Sequence, residues 1–139
     1  MRPEIVVGIA TVVVYTITVV AIIVAPIIAL KVQRQSDESR EARNRKMWIF
    51  KTLMANRATR WDPLCVQALN VIDLEFAGAR EKDIRDAWKE LQEHYNDWGR
   101  KSPQQRERDS QNDLDKAQDL LAGLLVNMGK TLGYDLGAC

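Results

Sequence analysis

The sequence predicts an all-α protein with a single N-terminal transmembrane helix followed by a small bundle of about four helices. Residues 5–30 contain no charged side chain, as a segment buried in hydrocarbon requires. After this stretch, apolar side chains recur at three- and four-residue steps, which is the spacing of amphipathic helices. Glycine and proline separate the amphipathic segments at the places where helices are expected to end.

The apolar stretch is long enough to cross a bilayer as a helix. At a rise of about 1.5 Å per residue it reaches about 39 Å, whereas the hydrocarbon core is about 30 Å thick. A single segment cannot close a barrel, so only a helix satisfies its backbone in lipid. We expect Pro26 to kink this helix. Its threonines should bond back to carbonyls of the preceding turn; these are Thr11, Thr16 and Thr18.

A cleaved signal peptide is the main alternative for the N-terminal stretch. The apolar core of a signal peptide is usually about 7–15 residues long and follows a basic start. Here the apolar run is much longer, and Arg2 is the one basic side chain before it. The length of the run therefore favours a retained membrane anchor.

Positive charge after the span sets the predicted orientation. Residues 1–4 form a short external stub, and residues 31–46 form a basic juxtamembrane helix or linker. The membrane-flanking cations of this segment are Lys31, Arg34, Arg40, Arg43, Arg45 and Lys46. Because basic flanks stay inside, we expect the N-terminus outside and residues 47–139 in the cytoplasm. The same cations could hold anionic headgroups, although neighbouring acidic residues dilute their charge.

The juxtamembrane segment has two interpretations. It lacks glycine and proline and carries Glu–Arg pairs at helical spacing, which favours a helix that continues from the membrane. The alternative is a flexible linker with a new helix capped at Ser36 or Asp37.

The first two helices of the cytoplasmic domain are predicted over residues 47–60 and 63–77. The first is apolar over more than half its circumference, so it should be central to the bundle. Alternatively, its Trp48 and Phe50 could dip into the bilayer surface. The second should begin with an Asp62 cap before a proline and should end at a glycine, Gly78.

The third and fourth helices are predicted over residues 81–98 and 113–130. A polar segment containing Pro103 lies between them and is expected to be a mobile loop. Two acidic residues should lie at the start of the last helix, and these are Asp113 and Asp115. Gly133 should end that helix, and residues 134–136 are expected to pack back on the bundle.

Four stretches of the soluble part resemble a bacterial family of unknown function, DUF6680. They are MWIFKTLMANRATR at 47–60, VQALNVIDLEF at 66–76, the helix around Trp88, and LLVNMGKTLGYDL at 124–136. The resemblance covers most of residues 47–136. It implies a helical fold and a bacterial or phage origin. With the predicted membrane span, we expect the protein in the bacterial inner membrane. The resemblance implies no activity and no functional residue.

Composition and motifs give no sign of catalysis or of a bound cofactor. The net charge of +1 argues against a dedicated nucleic-acid binder, and one histidine with two distant cysteines cannot form a conventional zinc site. A disulfide between Cys65 and Cys139 is not expected in a cytoplasmic domain. His94, on the predicted third helix, is interpreted as a structural histidine rather than as a catalytic base. No phosphate-binding glycine loop is present, so the sequence predicts a non-enzymatic protein without metal or cofactor.

One basic and aromatic corner follows the first cytoplasmic helix. It consists of Arg57, Arg60 and Trp61. A solvated helix end is the simplest interpretation, and a docking spot for an acidic partner is the functional one. Binding of nucleic acid is the remaining alternative.

Three functions are compatible with an anchored helical domain. The favoured one is an interaction module or accessory subunit of a larger membrane assembly. Its partners would be the bilayer, proteins in the membrane or at its cytoplasmic face, and further copies of the chain. The alternatives are a membrane-perturbing effector of an antiphage defence system and a membrane-bound enzyme.

Overall fold

The computed structural model describes residues 2–59 and 61–136, and all regular secondary structure in these residues is helical. The all-α prediction is therefore confirmed. The chain divides into two compact units, Met1–Glu41 and Ala42–Cys139. The first helix, α1, spans Pro3–Ala55 and contributes to both units.

The first unit is the N-terminal part of α1. Its large apolar side chains from Ile5 to Val32 are exposed, and an 18-residue window of it is apolar enough to be a candidate membrane span. The three threonine hydroxyls each donate to the carbonyl four residues earlier at 2.8 Å, as predicted. Pro26 lies inside the helix, and so do Ser36 and Asp37, so no new helix begins at either of them.

The second unit is a helical domain with a core of its own. It contains the end of α1, α2 (Pro63–Asn70), α3 (Ile72–Glu75), a 3₁₀ turn (Ala79–Glu81), α4 (Lys82–Arg100) and α5 (Pro103–Leu132). The side chains of the core that are almost fully inaccessible are Ile49, Leu53, Ile72, Phe76, Ile84, Leu91, Leu124 and Met128. Every long helix contributes to this set, so the core holds the four predicted segments together.

The aromatic residues at the end of α1 differ in exposure. Phe50 is buried and stacks on the Tyr134 ring at 5.6 Å between centroids, so it cannot dip into a bilayer surface. Trp48 is 43% exposed. Of the two aromatic residues for which a membrane contact was considered, Phe50 therefore belongs to the domain core.

The predicted second helix is broken. Its start is as expected, because the Asp62 side chain accepts a hydrogen bond from the Leu64 amide and proline occupies the first turn. The helix ends at Asn70, however, and α3 begins after Val71, whose φ of −99° and ψ of 1° are not helical. Gly78 does not end this segment but precedes the 3₁₀ turn.

The predicted polar loop before the last helix is mostly helix, so this prediction is wrong. Gly99 lies inside α4, and α5 begins at Pro103. The Ser102 hydroxyl accepts from the Gln105 amide, and the Gln105 side chain accepts from the Ser102 amide, which is a capping box. Asp113 is consequently a buried residue of the helix interior rather than a residue of its first turn.

We expect Ser102→Ala to lower the free energy of unfolding by about 0.5–2 kcal/mol, because the α5 N-terminus loses its side-chain cap. Urea unfolding of the full-length protein in detergent measures this difference. Ser110→Ala is the matched control, since Ser110 is an exposed residue inside α5 whose hydroxyl only bonds back to Glu107. Equal effects of the two substitutions would contradict the assigned start of α5.

The C-terminal end of α5 follows the prediction. Gly133 has a φ of +89°, a left-handed conformation that glycine adopts without strain. The chain then turns back, so that Tyr134 reaches Phe50 and Leu136 packs against the core. Residues 137–139, including Cys139, lie outside the described residues.

Candidate functional site

Three of the six predicted membrane-flanking cations contact the helical domain. The Arg43 guanidinium donates to the Leu132 carbonyl at 2.9 Å, and Arg45 contacts the Glu75 carboxylate at 3.0 Å. Lys46 forms an ion pair with Glu81, which is buried. These cations therefore have roles inside the domain in addition to any effect on orientation. The other three are exposed residues of the first unit, namely Lys31, Arg34 and Arg40.

Arginine side chains also satisfy the carbonyls at two other helix ends. Arg85 donates to the carbonyls of Phe76 and Gly78 at 2.7 Å, and Arg106 donates to those of Trp98 and Gly99. The last carbonyls of a helix have no partner within the helix, and cationic donors there are favourable. Together with Arg43, these residues show that part of the basic charge supports the fold.

Two members of the basic and aromatic corner, Arg57 and Trp61, are exposed. Trp61 is 73% exposed, and its ring lies 6.2 Å from that of Tyr95, measured between centroids. Arg57 is exposed as well, and it makes no hydrogen bond or ion pair with the described part of the chain. The third member of the corner, Arg60, lies outside the described residues. Arg57 lines one groove and Trp61 lines another, and Ala58 lines both. Whether these residues form a common docking spot stays a prediction.

The groove beside Arg57 is apolar. It has a volume of about 540 Å³ and lies between the end of α1 and the second half of α5. Its lining residues are Met54, Arg57, Ala58, Gln118, Leu121, Ala122, Leu125, Val126 and Leu136. One of these lining residues is a cation and none of them is a carboxylate. The groove was missed by sequence reasoning because it needs α1, α5 and the C-terminal turn to meet in space.

A buried histidine–aspartate pair connects α4 with α5. His94 Nε2 lies 2.8 Å from Asp113 Oδ1 and 3.3 Å from the Asp113 carbonyl oxygen. Both side chains are largely inaccessible, with exposed fractions of 11% and 4%. Asp113 lines the second groove, which has a volume of about 610 Å³ and also contains Trp61, Trp98 and Ser110. The pair therefore links α4 to α5.

We expect His94 and Asp113 to be energetically coupled. A double-mutant cycle of His94→Ala and Asp113→Ala, measured by urea unfolding, should give an interaction free energy of about 0.5–3 kcal/mol. The cycle isolates this pair from the other contacts of either residue. Additive effects of the two substitutions would show that the contact contributes nothing to stability.

The thiol of Cys65 is buried in the domain core. Burial raises its pKa above the ordinary value of 9.0, and the Asp62 carboxylate raises it further. A raised pKa lowers the thiolate fraction at neutral pH, and the thiolate is the nucleophile. The sequence-based prediction of no disulfide to Cys139 is not tested, because the latter lies outside the described residues.

We expect Cys65 to react slowly with thiol reagents in the folded protein. In a Cys139→Ser background, the alkylation rate at pH 7.5 should rise sharply in urea, which exposes the thiol and returns its pKa to the ordinary range. Because the pKa of Cys65 is higher in the folded protein than in the unfolded chain, its contribution to stability is intact below about pH 9. This contribution is lost as the pH rises further. Equal alkylation rates in buffer and in urea would contradict its burial.

The described residues contain no group of three or more metal-ligating side chains. A model of the family described as "Family of unknown function (DUF6680)" matches residues 10–138. The chain belongs to this family. The match is wider than the resemblance of residues 47–136 and takes in most of the apolar stretch. No curated protein and no solved structure matches the sequence.

Membership of DUF6680 carries no activity and no assigned residue. The functional argument therefore depends on the chemistry of this chain. Its two most informative features are the exposed apolar half of α1 and the apolar groove beside Arg57.

Proposed function

We propose that this protein is a single-pass protein of the bacterial inner membrane whose helical domain is an interaction module, an accessory subunit of a larger membrane assembly. The observation that carries the proposal is a helix with apolar side chains exposed on every side in a chain whose other unit has its own core. Such a helix needs an apolar environment, and a separate anchored domain needs a partner to act on.

Exposure of the N-terminal apolar residues supports the membrane part of the proposal. Soluble monomers rarely expose contiguous apolar patches larger than a few hundred Å². Here every large apolar side chain along residues 5–32 is more than 40% exposed, and none of the candidate membrane span is buried. A helix in which all backbone groups are bonded internally is also the structure that lipid requires.

The distribution of charge supports a cytoplasmic domain. The segment after the apolar stretch contains six lysines and arginines, three of which contact the domain, whereas residues 1–4 contain one, Arg2. Orientation follows the number of lysines and arginines near the span rather than their contacts.

The roles of the polar side chains favour binding over catalysis. The buried acidic residues, Glu81 and Asp113, are paired with Lys46 and His94. The groove with an unpartnered cation is lined almost entirely by apolar groups. A surface of this composition is suited to contact with another apolar surface.

Two measurements test the proposal on the full-length chain. Reporter domains fused to either end should place the N-terminus outside and the C-terminus in the cytoplasm. Affinity purification in mild detergent, compared with a span-only control ending before residue 42, should retrieve defined partners in constant ratio. A chain that stays in the soluble fraction, or that purifies alone, would overturn the proposal.

A further inference from the structure

We infer that the apolar groove between α1 and α5 binds an amphipathic helix of a partner protein, and that an acidic residue at one end of this helix pairs with Arg57. The inference depends on the proposed function and specifies which surface of the domain makes the contact. The proposed occupant is a helix that carries apolar anchor residues over two turns and one carboxylate at one end.

The length of the groove fits two turns of a helix. Its α5 wall runs from Gln118 to Val126, which is about 12 Å at a rise of about 1.5 Å per residue. An amphipathic helix binds a groove of this length through apolar side chains at positions i, i+3 or i+4, and i+7. Leu121 and Leu125 supply the buried floor.

A small residue lies between the two floor leucines. Ala122 is exposed and lines the groove, so the groove is shallow there and a partner backbone can approach closely. The other wall is the end of α1 with Met54, and Leu136 of the C-terminal turn closes the groove. Both of these side chains pack partly against the core, so the walls are fixed before a partner binds.

Charge selects the occupant. α1 and α5 are antiparallel, because Arg43 contacts the Leu132 carbonyl while Met54 and Leu121 line the same groove. Arg57 and Gln118 therefore lie at the same end of the groove, and the remaining lining is apolar. Among the described residues, Arg57 has no partner and no carboxylate lines the groove. An acidic side chain at that end of an amphipathic helix supplies the missing charge.

The test uses full-length protein in lipid nanodiscs and a displayed library of helical peptides. The library fixes leucine at positions i, i+4 and i+7 and varies the residues at both ends. Peptides selected by the wild-type protein should carry Asp or Glu at one end. Their affinity should fall about 30-fold or more for Ala122→Trp, which fills the groove and removes the central contacts.

Charge variants test the role of Arg57. Arg57→Glu should lower the affinity for the acidic peptides about three- to fivefold, the range expected for an exposed ion pair. Selection with this variant should shift towards Lys or Arg at the same position of the peptide. The matched controls are Gly123→Trp, beside Ala122 but outside the groove, and Lys51→Glu, an exposed charge reversal on α1. Both should leave the affinity within about twofold of wild type.

Several results would overturn the inference. They are failure to select any peptide, selection without an acidic preference, and affinity insensitive to Ala122→Trp. A full-length chain that is dimeric in nanodiscs and becomes monomeric with Ala122→Trp would assign the groove to a second copy instead. If Ala122→Trp still retrieves the partners of the wild-type chain, the groove assignment fails while the proposed function stands.

Discussion

Phe76→Ala should destabilise the helical domain by about 3–5 kcal/mol, the usual cost of truncating a buried aromatic side chain. Phe76 is fully inaccessible, and the Lys46 ammonium lies 5.6 Å from the centre of its ring. The substitution leaves a cavity between α3 and the rest of the core. Small domains have about 5–15 kcal/mol of stability, so the loss is a large fraction of the total.

The loss is measured by urea unfolding of full-length protein in detergent, followed by the fluorescence of tryptophan. Trp88 is buried in the core, so its fluorescence reports on the unfolding of the core. Leu74→Ala is the matched control, two residues away in the same segment and 75% exposed, with an expected change within about 0.5 kcal/mol. Similar losses for the two variants would mean that α3 is not packed as described.

The core was predictable because periodicity reports directly which side of a helix is buried. In α4 the apolar residues Ile84, Trp88 and Leu91 recur at four- and three-residue steps in the sequence, and all three are buried. The same spacing continues in α5, where Leu121, Leu124 and Met128 are buried, although Leu114 nearer its start is 41% exposed. An apolar stripe specifies burial, and burial against other stripes accounts for the bundle.

The helix ends were harder to predict. An interruption of one residue at Val71 leaves the three- and four-residue spacing of the neighbouring apolar positions intact, so periodicity cannot detect it. The start of α5 was missed for a different reason. Polar composition and Pro103 indicated a loop, whereas a proline in the first turn after Ser102, with Gln105 three residues later, is a helix start.

The contacts of the charged residues could not be predicted from local sequence. Arg45 pairs with Glu75, Lys46 with Glu81, and His94 lies against Asp113 on another helix. A run of basic residues after an apolar stretch has the same appearance whether its side chains face headgroups or a folded domain. Only the packed helices show which of these cations also support the domain.

The membrane anchor itself is tested by placing charge in the middle of the apolar stretch. In the double variant Ile17→Arg/Val20→Arg, each substitution should raise the free energy of insertion by about 3 kcal/mol or more. Both side chains are exposed in the helix, with exposed fractions of 64% and 53%, so the substitutions leave the domain core untouched. We therefore expect the variant to fold its helical domain and to lose stable membrane association.

Fractionation after alkaline carbonate washing measures the change. Wild type and the control Ile17→Leu/Val20→Leu should remain in the membrane pellet, while the double-arginine variant moves to the supernatant or is degraded. Urea unfolding of the recovered variant should match that of wild type, because the two substitutions lie in the first unit and the core in the second. If the double-arginine variant stays in the carbonate-washed pellet, hydrocarbon does not surround residues 17–20, and the anchor must be sought elsewhere.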